Sequence, residues 1–180
     1  MTTFFTSDTH FTHDRILKLA NRPYRSIQEM EKAFIQNWNA TVSREDTVWH
    51  LGDFGFDEIS PGKAAELFHR LNGKKNLILG NHDPSHLPTL PWESTRTSIE
   101  ISVEGECVFL CHYPWMTWPG ARKGVIHLFG HLHGKWLGTD RSTDVGVDAW
   151  GYKPVSLPEI KRRLAKLKPN EILKKTGARM

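Results

Sequence analysis

Several short apolar runs in this sequence are each followed at once by a small group of Asp, His or Asn residues. The groups read SDTH from Ser7, GDF from Gly52, GNHD from Gly80, HYP from His112 and GHLH from Gly130. They supply eight polar side chains that could bind an ion or a substrate: Asp8, His10, Asp53, Asn81, His82, His112, His131 and His133. Carboxylate, imidazole and amide ligands without thiolates suit divalent ions such as Mn, Fe or Zn.

These side chains outnumber the four to six ligands that one ion needs, and they therefore predict two ions with a bridging carboxylate. Two ions about 3.5 to 4 Å apart suit phosphoryl transfer, because they generate hydroxide at neutral pH and spread the charge of the transition state. Each residue alone could instead be a turn former, with the glycines at 52, 80 and 130 as ordinary strand ends. The complete set favours metal binding, because without an ion the converging side chains would bury uncompensated polarity.

The elements that must position these groups are strands that end just before them. Apolar and β-branched residues predict five strands at Thr3–Thr6, Thr47–Leu51, Leu77–Leu79, Val108–Cys111 and Val125–Phe129. Ligands of open α/β sheets bind at the carboxyl ends of the strands, so all five polar groups are expected at one edge of the fold.

Three helices and a hairpin are predicted between and after these strands. A capping box of Ser26 and Glu29 precedes a helix with one apolar face, a second helix begins at Ser60-Pro61, and a third begins near Pro158. The alternating stretch 96–103 ends at Glu104-Gly105 before another strand, a pattern typical of a β-hairpin.

The ordered series D-x-H, GD, GNHD, a single His and GHxH, from Asp8 to His133, resembles the calcineurin-like metallophosphoesterase superfamily. The resemblance implies an α/β fold of two packed mixed β-sheets flanked by helices, an αββα sandwich. It also implies that Asp53 bridges two divalent ions and that His82 acts as a general acid without binding metal. The implied ligands are Asp8, His10, Asp53 and His133 for one ion and Asp53, Asn81, His112 and His131 for the other.

Several further residues are candidates for supporting roles, each with a structural alternative. Asp83 and Asp57 could each orient His82. His13, Arg22, Tyr113 and Trp115 could contact substrate, the arginine as a phosphate clamp together with Arg25 and the aromatic residues as a stacking wall. Core packing or an exposed loop would explain the same residues. His50 and His127 are expected in the core, and His69 and His86 at the surface.

Composition predicts one globular domain over residues 1–168 with a frayed basic tail over 169–180. The 180 residues are 38% hydrophobic and 24% charged, and they contain no apolar run long enough to span a membrane. The amino terminus lacks a basic segment followed by an apolar stretch, and the two cysteines, Cys107 and Cys111, lie too far apart on a strand to pair, so we expect a cytoplasmic protein with reduced thiols. Residues 158–180 carry a net charge of +6 and the rest −2, so the basicity belongs to the carboxyl-terminal segment.

These features and the resemblance together predict a metal-dependent hydrolase of small phosphate esters, monoesters or diesters. The expected reaction uses a hydroxide activated by two metal ions, with Mn as the expected metal and Fe, Zn, Ni or Co as alternatives. A nuclease, a nucleotide or cyclic-nucleotide phosphodiesterase and a non-catalytic metal-binding scaffold are the alternative functions. A metal-dependent amidohydrolase barrel is excluded as an alternative, because that fold needs about 250 residues and this chain has 180. Nucleic acid is a possible but not an indicated partner, no membrane partner is expected, and the oligomeric state stays open.

Overall fold

The computed structural model describes residues 1–174 of the chain and contains ten strands and five α-helices. The strands are, in chain order, β1 (Thr3–Thr6), β2 (Thr47–His50), β3 (Lys74–Ile78), β4 (Ser94–Arg96), β5 (Ser98–Val103), β6 (Glu106–Cys111), β7 (Ile126–Phe129), β8 (Gly138–Thr139), β9 (Ser142–Asp144) and β10 (Val155–Ser156). The helices are α1 (Ile16–Leu19), α2 (Ile27–Thr41), α3 (Pro61–Arg70), α4 (Leu157–Leu164) and α5 (Glu171–Lys174).

The strands form two five-stranded mixed sheets. The first sheet has the order β10-β1-β2-β3-β4, in which β1 to β4 are parallel and β10 is antiparallel at the edge. The second sheet has the order β5-β6-β7-β9-β8, with parallel β6, β7 and β9 between two antiparallel edge strands. The predicted hairpin joins β5 to β6, and both turn residues, Glu104 and Gly105, have the positive φ that a two-residue hairpin turn needs.

Alternating side chains along the strands divide the apolar residues between the two faces of each sheet. Phe4 on β1 belongs to a buried cluster that includes Phe34 and Trp38 of α2 and Leu67 of α3. Its neighbour Phe5 packs inward against the second sheet, in a core formed from β1, β2, β3, β6, β7 and α4. The predicted fold class, two packed mixed sheets with helices, is therefore confirmed.

The outer face of the second sheet is covered mainly by the segment that joins β6 to β7. Phe109 and Cys111 of β6 pack there with Trp118, Ala121 and Val125, and Leu173 of α5 adds to the cluster. Helices α2 and α3 thus cover one side of the sandwich, and a loop with one short helix covers the other.

The predicted helix starts are present, with small differences in capping. The Ser26 hydroxyl accepts the Glu29 N–H, but the Glu29 carboxylate accepts the Arg25 N–H, so the predicted box is only half formed. Helix α3 begins at Pro61 as predicted, and the Ser60 side chain is its N-cap. Helix α4 begins before Pro158, where the Ser156 N–H donates to the Glu159 carboxylate at 2.9 Å.

The first half of the predicted tail is packed and not frayed. The Asn170 N–H donates to the Asp140 carboxylate at 2.9 Å, its side-chain oxygen accepts the Ile172 N–H, and α5 follows. Residues 175–180 lie outside the described residues. Within residues 1–174, Cys107 and Cys111 are both free, and no helix combines the length and hydropathy of a membrane span.

Candidate metal centre

Loops from both sheets bring the predicted ligands together at one edge of the sandwich. In the first sheet, Asp8 and His10 follow β1, Asp53 follows β2, and Asn81 follows β3. In the second sheet, His112 follows β6 and the pair His131 and His133 follows β7. The predicted ligands therefore meet at one edge, as the strand ends led us to expect, and they come from both sheets.

The side chains form two adjacent groups, called here site A (Asp8, His10 and His133) and site B (Asp53, His112 and His131). Within each group the potential ligand atoms all lie within 4.8 Å of one another. The Asp53 Oδ2 atom lies 3.5 Å from the Nε2 atom of His10 in site A and 3.5 Å from that of His112 in site B. The Asn81 Oδ1 atom lies 3.0 Å from the His112 Nε2 atom and extends site B.

These separations and the burial of the cluster fit divalent ions. Two ligand atoms that each lie about 2.1 Å from an ion are roughly 3 to 3.5 Å apart in tetrahedral or octahedral geometry. Both ring nitrogens of His10 are buried without a hydrogen-bond partner among the described residues. A bound cation would give these nitrogens a partner and would compensate the buried carboxylates.

The two carboxyl groups at the centre of the cluster, Asp8 and Asp53, have pKa values shifted in opposite directions. Burial raises the pKa of Asp8 to about 7, although His112 and His133 act to lower it. Burial also acts to raise the pKa of Asp53, but the hydrogen bond and charge of His112, together with His10, hold it well below its usual range. Asp8 thus receives less compensation for its burial than Asp53 does, and a cation in site A would supply more.

The backbone is strained at the predicted ligands. The φ angles of Asp8, His10, Asp53, His131 and His133 all lie between 50° and 71°, in the left-handed region. This conformation costs a non-glycine residue about 1 to 2 kcal/mol, and such strain clusters at functional sites. Its concentration at five candidate ligands supports a functional reason for these turns.

Glycines let the ligand loops approach one another closely. A Cβ atom on Gly130 would collide with Ser7 Oγ and lie 2.5 Å from Asp8 Oδ2, and one on Gly52 would lie 2.7 Å from His112 Nδ1. A Cβ atom on Gly80 would collide with Asp53. The three glycines are therefore required for packing around the site, beyond the role of strand ends.

Hydrogen bonds behind the site fix two of the imidazole rings. The Nδ1–H group of His112 donates to the Leu51 carbonyl at 2.7 Å, and that of His133 donates to Asp148 Oδ2 at 2.8 Å. In each ring Nε2 is then the nitrogen that remains to bind a metal ion once its proton is lost. Asp148 gave no signal in the sequence, because it follows the polar strand β9 and not an apolar run.

His82 lies beside the two groups, and its predicted orienting residue needs correction. The His82 ring is 5.6 Å from that of His10 between centroids. Both oxygens of Asp83 accept backbone N–H groups, from Asp53, Phe54 and Gly80, so Asp83 does not orient His82. The alternative, Asp57, places Oδ2 3.8 Å from His82 Nδ1.

Of the four predicted substrate contacts, His13 and Tyr113 lie beside the ligand cluster, whereas Trp115 packs elsewhere and Arg22 is buried behind site A. His13 lies next to His10, with 5.3 Å between ring centroids, and stacks on Phe56 at 3.7 Å. Tyr113 is 43% exposed, and its ring centroid lies 5.0 Å from that of His131. The ring of Trp115 instead lies beside that of Phe109, with 5.3 Å between centroids, and the side chain is largely exposed.

Arg22 is buried behind the site and does not reach the surface. Its Nε and Nη2 atoms donate to the two oxygens of Asp148, both at 2.8 Å, and its Nη1 and Nη2 atoms donate to the carbonyls of Thr9 and Asp8. Because these partners use all three nitrogens, the prediction that Arg22 clamps a phosphate is wrong. Arg25 lies in an exposed turn.

Three of the four remaining histidines have the burial that the sequence predicted. His50 and His127 are fully buried in the core, and His69 is exposed. His86 is half-buried, with its Nε2 atom enclosed, and so differs from the expected surface residue.

Comparison with known proteins assigns the chain to a family. The model of the calcineurin-like phosphoesterase family matches residues 1–150. An uncharacterized protein of Methanocaldococcus jannaschii is 36% identical over 171 residues, covering 91% of each chain, and the gene 66 protein of Mycobacterium phage L5 is 31% identical over 196 residues, covering 88% of this chain and 91% of that protein. A solved structure from Aquifex aeolicus, a protein of unknown function, shares the fold with a TM-score of 0.73 at 24% identity, covering 90% of this chain and 98% of that chain. This chain therefore belongs to the calcineurin-like phosphoesterase family.

Proposed function

We propose that the protein hydrolyses small phosphate esters at a centre of two divalent metal ions. The observation that carries this proposal is that sites A and B are adjacent, with Asp53 Oδ2 3.5 Å from a histidine of each site. Membership of a phosphoesterase family supports the same reaction class.

In this proposal site A and Asp53 hold one ion, and site B with Asn81 holds the other. The bound ions would lower the pKa of a water molecule and offer positive charge to the phosphoryl oxygens. The donor set suits Mn, with Fe, Zn, Ni or Co as alternatives. The substrate's phosphoryl group would lie on the open side of the cluster, where Asn81 and Tyr113 are exposed.

The protein's own side chains would then bind and protonate the ester. His82 is 38% exposed beside site A, where it can donate a proton to the departing alkoxide. His13 is held against Phe56 and could contact the same ester. Tyr113 offers one aromatic face beside His131 to a substrate that carries an aryl group or a base.

A substrate panel tests the proposed activity. The protein, stripped by chelator and then loaded with Mn, Co or Ni, is assayed on phosphomonoesters, phosphodiesters, cyclic nucleotides and single-stranded DNA. We expect turnover of at least one small ester that vanishes with chelator and returns with metal. Full turnover in the metal-free sample would disprove the two-metal centre, and cleavage of DNA alone would favour a nuclease.

Metal stoichiometry tests the placement of the two ions. Asp53→Ala should lose both ions, because its carboxylate lies against both groups, whereas His10→Ala should weaken only one. Mass spectrometry of the purified variants counts the bound ions. Two ions retained by the Asp53 variant would show that another group bridges them.

A further inference from the structure

Arg22 connects three separate parts of the chain behind site A. It lies between α1 and α2, and its side chain is completely buried. Its guanidinium donates to the Asp8 carbonyl at 2.6 Å and the Thr9 carbonyl at 2.9 Å, in the strained loop that carries Asp8 and His10. The same guanidinium forms a bidentate pair with Asp148, which is 126 positions away along the chain.

Asp148 carries this connection to the third residue of site A. Its Oδ2 atom accepts a hydrogen bond from Arg22 and another, at 2.8 Å, from the Nδ1–H group of His133. The Arg22 guanidinium therefore contacts the backbone of the loop that carries Asp8 and His10, and the Asp148 carboxylate contacts the ring of His133.

We infer that Arg22 and Asp148 are positioning residues that assemble site A for its metal ion. This inference rests on the proposed metal centre, and it assigns to the pair a role in binding one ion and not the other. His112 of site B takes its orientation from the Leu51 carbonyl and does not depend on Arg22. Loss of the pair should therefore affect the two ions unequally.

The geometry requires an arginine. The planar guanidinium reaches both oxygens of Asp148 and two carbonyls at the same time, whereas a lysine ammonium is a single point of charge. Replacement by lysine retains the positive charge but should not restore the alignment of the Asp8 loop with His133.

Calorimetric titration with Mn²⁺ of the chelated, full-length protein tests this inference. The wild type should bind two ions. Arg22→Lys and Asp148→Asn should each lower the affinity for one ion by about 10- to 100-fold, the usual effect of removing a group that orients a metal ligand, and leave the other unchanged. Asp148→Asn keeps the volume of the side chain and provides a second variant if the lysine protein folds poorly.

A double-variant comparison identifies the affected ion. Because His10 belongs to site A, adding Asp148→Asn to His10→Ala should weaken binding by less than the sum of the two single effects.

Lys75→Met is the matched control, since Lys75 is another buried cation that donates to two carbonyls, those of Leu71 and Gly73, at the opposite end of β3. It should retain two ions with wild-type affinity.

Three results would overturn the inference while leaving the proposed function intact. These are wild-type affinity for both ions in the Arg22 and Asp148 variants, equal weakening of both ions, and the same loss in the Lys75 control. A wild-type protein that binds neither Mn²⁺ nor any of the alternative ions would overturn the proposed function itself.

Discussion

The residue His82 allows proton donation to be separated from metal binding. A general acid matters only as much as the leaving group needs a proton. His82→Ala should therefore have little effect on a nitrophenyl ester, whose leaving group departs as an anion, and should slow an alkyl ester by about 10²- to 10⁴-fold. Steady-state rates on the two esters, with metal content measured in parallel, test this prediction.

The carboxylate beside His82 provides the control. Asp57 lies 3.8 Å from the ring and is largely exposed, so Asp57→Asn should reproduce the leaving-group dependence only weakly. Equal losses on both esters in the His82 variant, or the loss of an ion, would mean that His82 is a ligand or a positioning group. His13 would then be the next candidate for the proton donor.

His127 should make the stability of the protein depend on pH. Its neutral ring is satisfied, because Nδ1–H donates to the Phe109 carbonyl and Nε2 accepts the Trp115 N–H, both at 3.2 Å. Burial lowers its pKa from 6.5 to about 4. The unfolded chain therefore takes up a proton before the folded protein does, and stability present above pH 6.5 is lost as the pH falls toward 4.

Chemical denaturation of His127→Gln at several pH values measures this contribution. The wild type should lose about 2 kcal/mol more than the variant between pH 6.5 and pH 5, since one pKa unit corresponds to about 1.4 kcal/mol. Parallel pH profiles for the two proteins would contradict the assignment of a neutral, buried His127.

The residues that the structure brings together in sites A and B were easier to select from the sequence than the residues that contact them. Asp8, Asp53 and the HxH pair could be selected because each follows an apolar strand. Arg22 was misassigned because its partner Asp148 is distant in sequence and follows a strand, STD, without apolar residues. Asp83 was misassigned because adjacency in sequence to His82 did not indicate that its oxygens bind backbone N–H groups.

At the scale of elements, the turn after β7 should tolerate no side chain at Gly130. A methyl group there would collide with Ser7 and Asp8, which belong to the turn after β1. Gly130→Ala should destabilise the protein by about 1 to 3 kcal/mol, the range for overpacking, and weaken the binding of metal at site A. Gly62→Ala in α3 meets nothing within 4 Å and should instead stabilise the protein, by up to about 1 kcal/mol. Thermal melts that rank the two variants in the opposite order would contradict this account of the turn.

The longer elements could be predicted from sequence, and the shortest could not. The strand predictions for β1, β2 and β7 agree with the structure to within one residue at each end, because each strand carries two or three buried apolar residues. Strands β4, β8, β9 and β10 have two or three residues and no apolar pattern of their own. Strands β9 and β10 pair with β7 and β1, and such long-range pairing exists only in the folded chain.

At the scale of the molecule, the two sheets are joined by a shared core and by the ligand cluster. Inward-facing residues of both sheets form one apolar layer with α4. The ligands of sites A and B come from β1 and β2 of the first sheet and from β6 and β7 of the second. Folding brings the buried carboxylates close to one another and removes them and the imidazoles from water, and both effects cost free energy. We therefore expect bound ions to contribute part of the protein's stability.

Metal binding should therefore raise the melting temperature. An ion that binds only the folded chain stabilises it by about 2.7 kcal/mol at a concentration 100 times its dissociation constant, which in a chain of this size corresponds to a shift of about 5 to 10 °C. Thermal melts of the chelated and the Mn-loaded protein measure the shift. Asp53→Ala, which should bind neither ion, is the control and should melt at the same temperature with and without Mn. Equal melting temperatures for the two wild-type samples would mean that the sandwich holds its ligand cluster in place without ions.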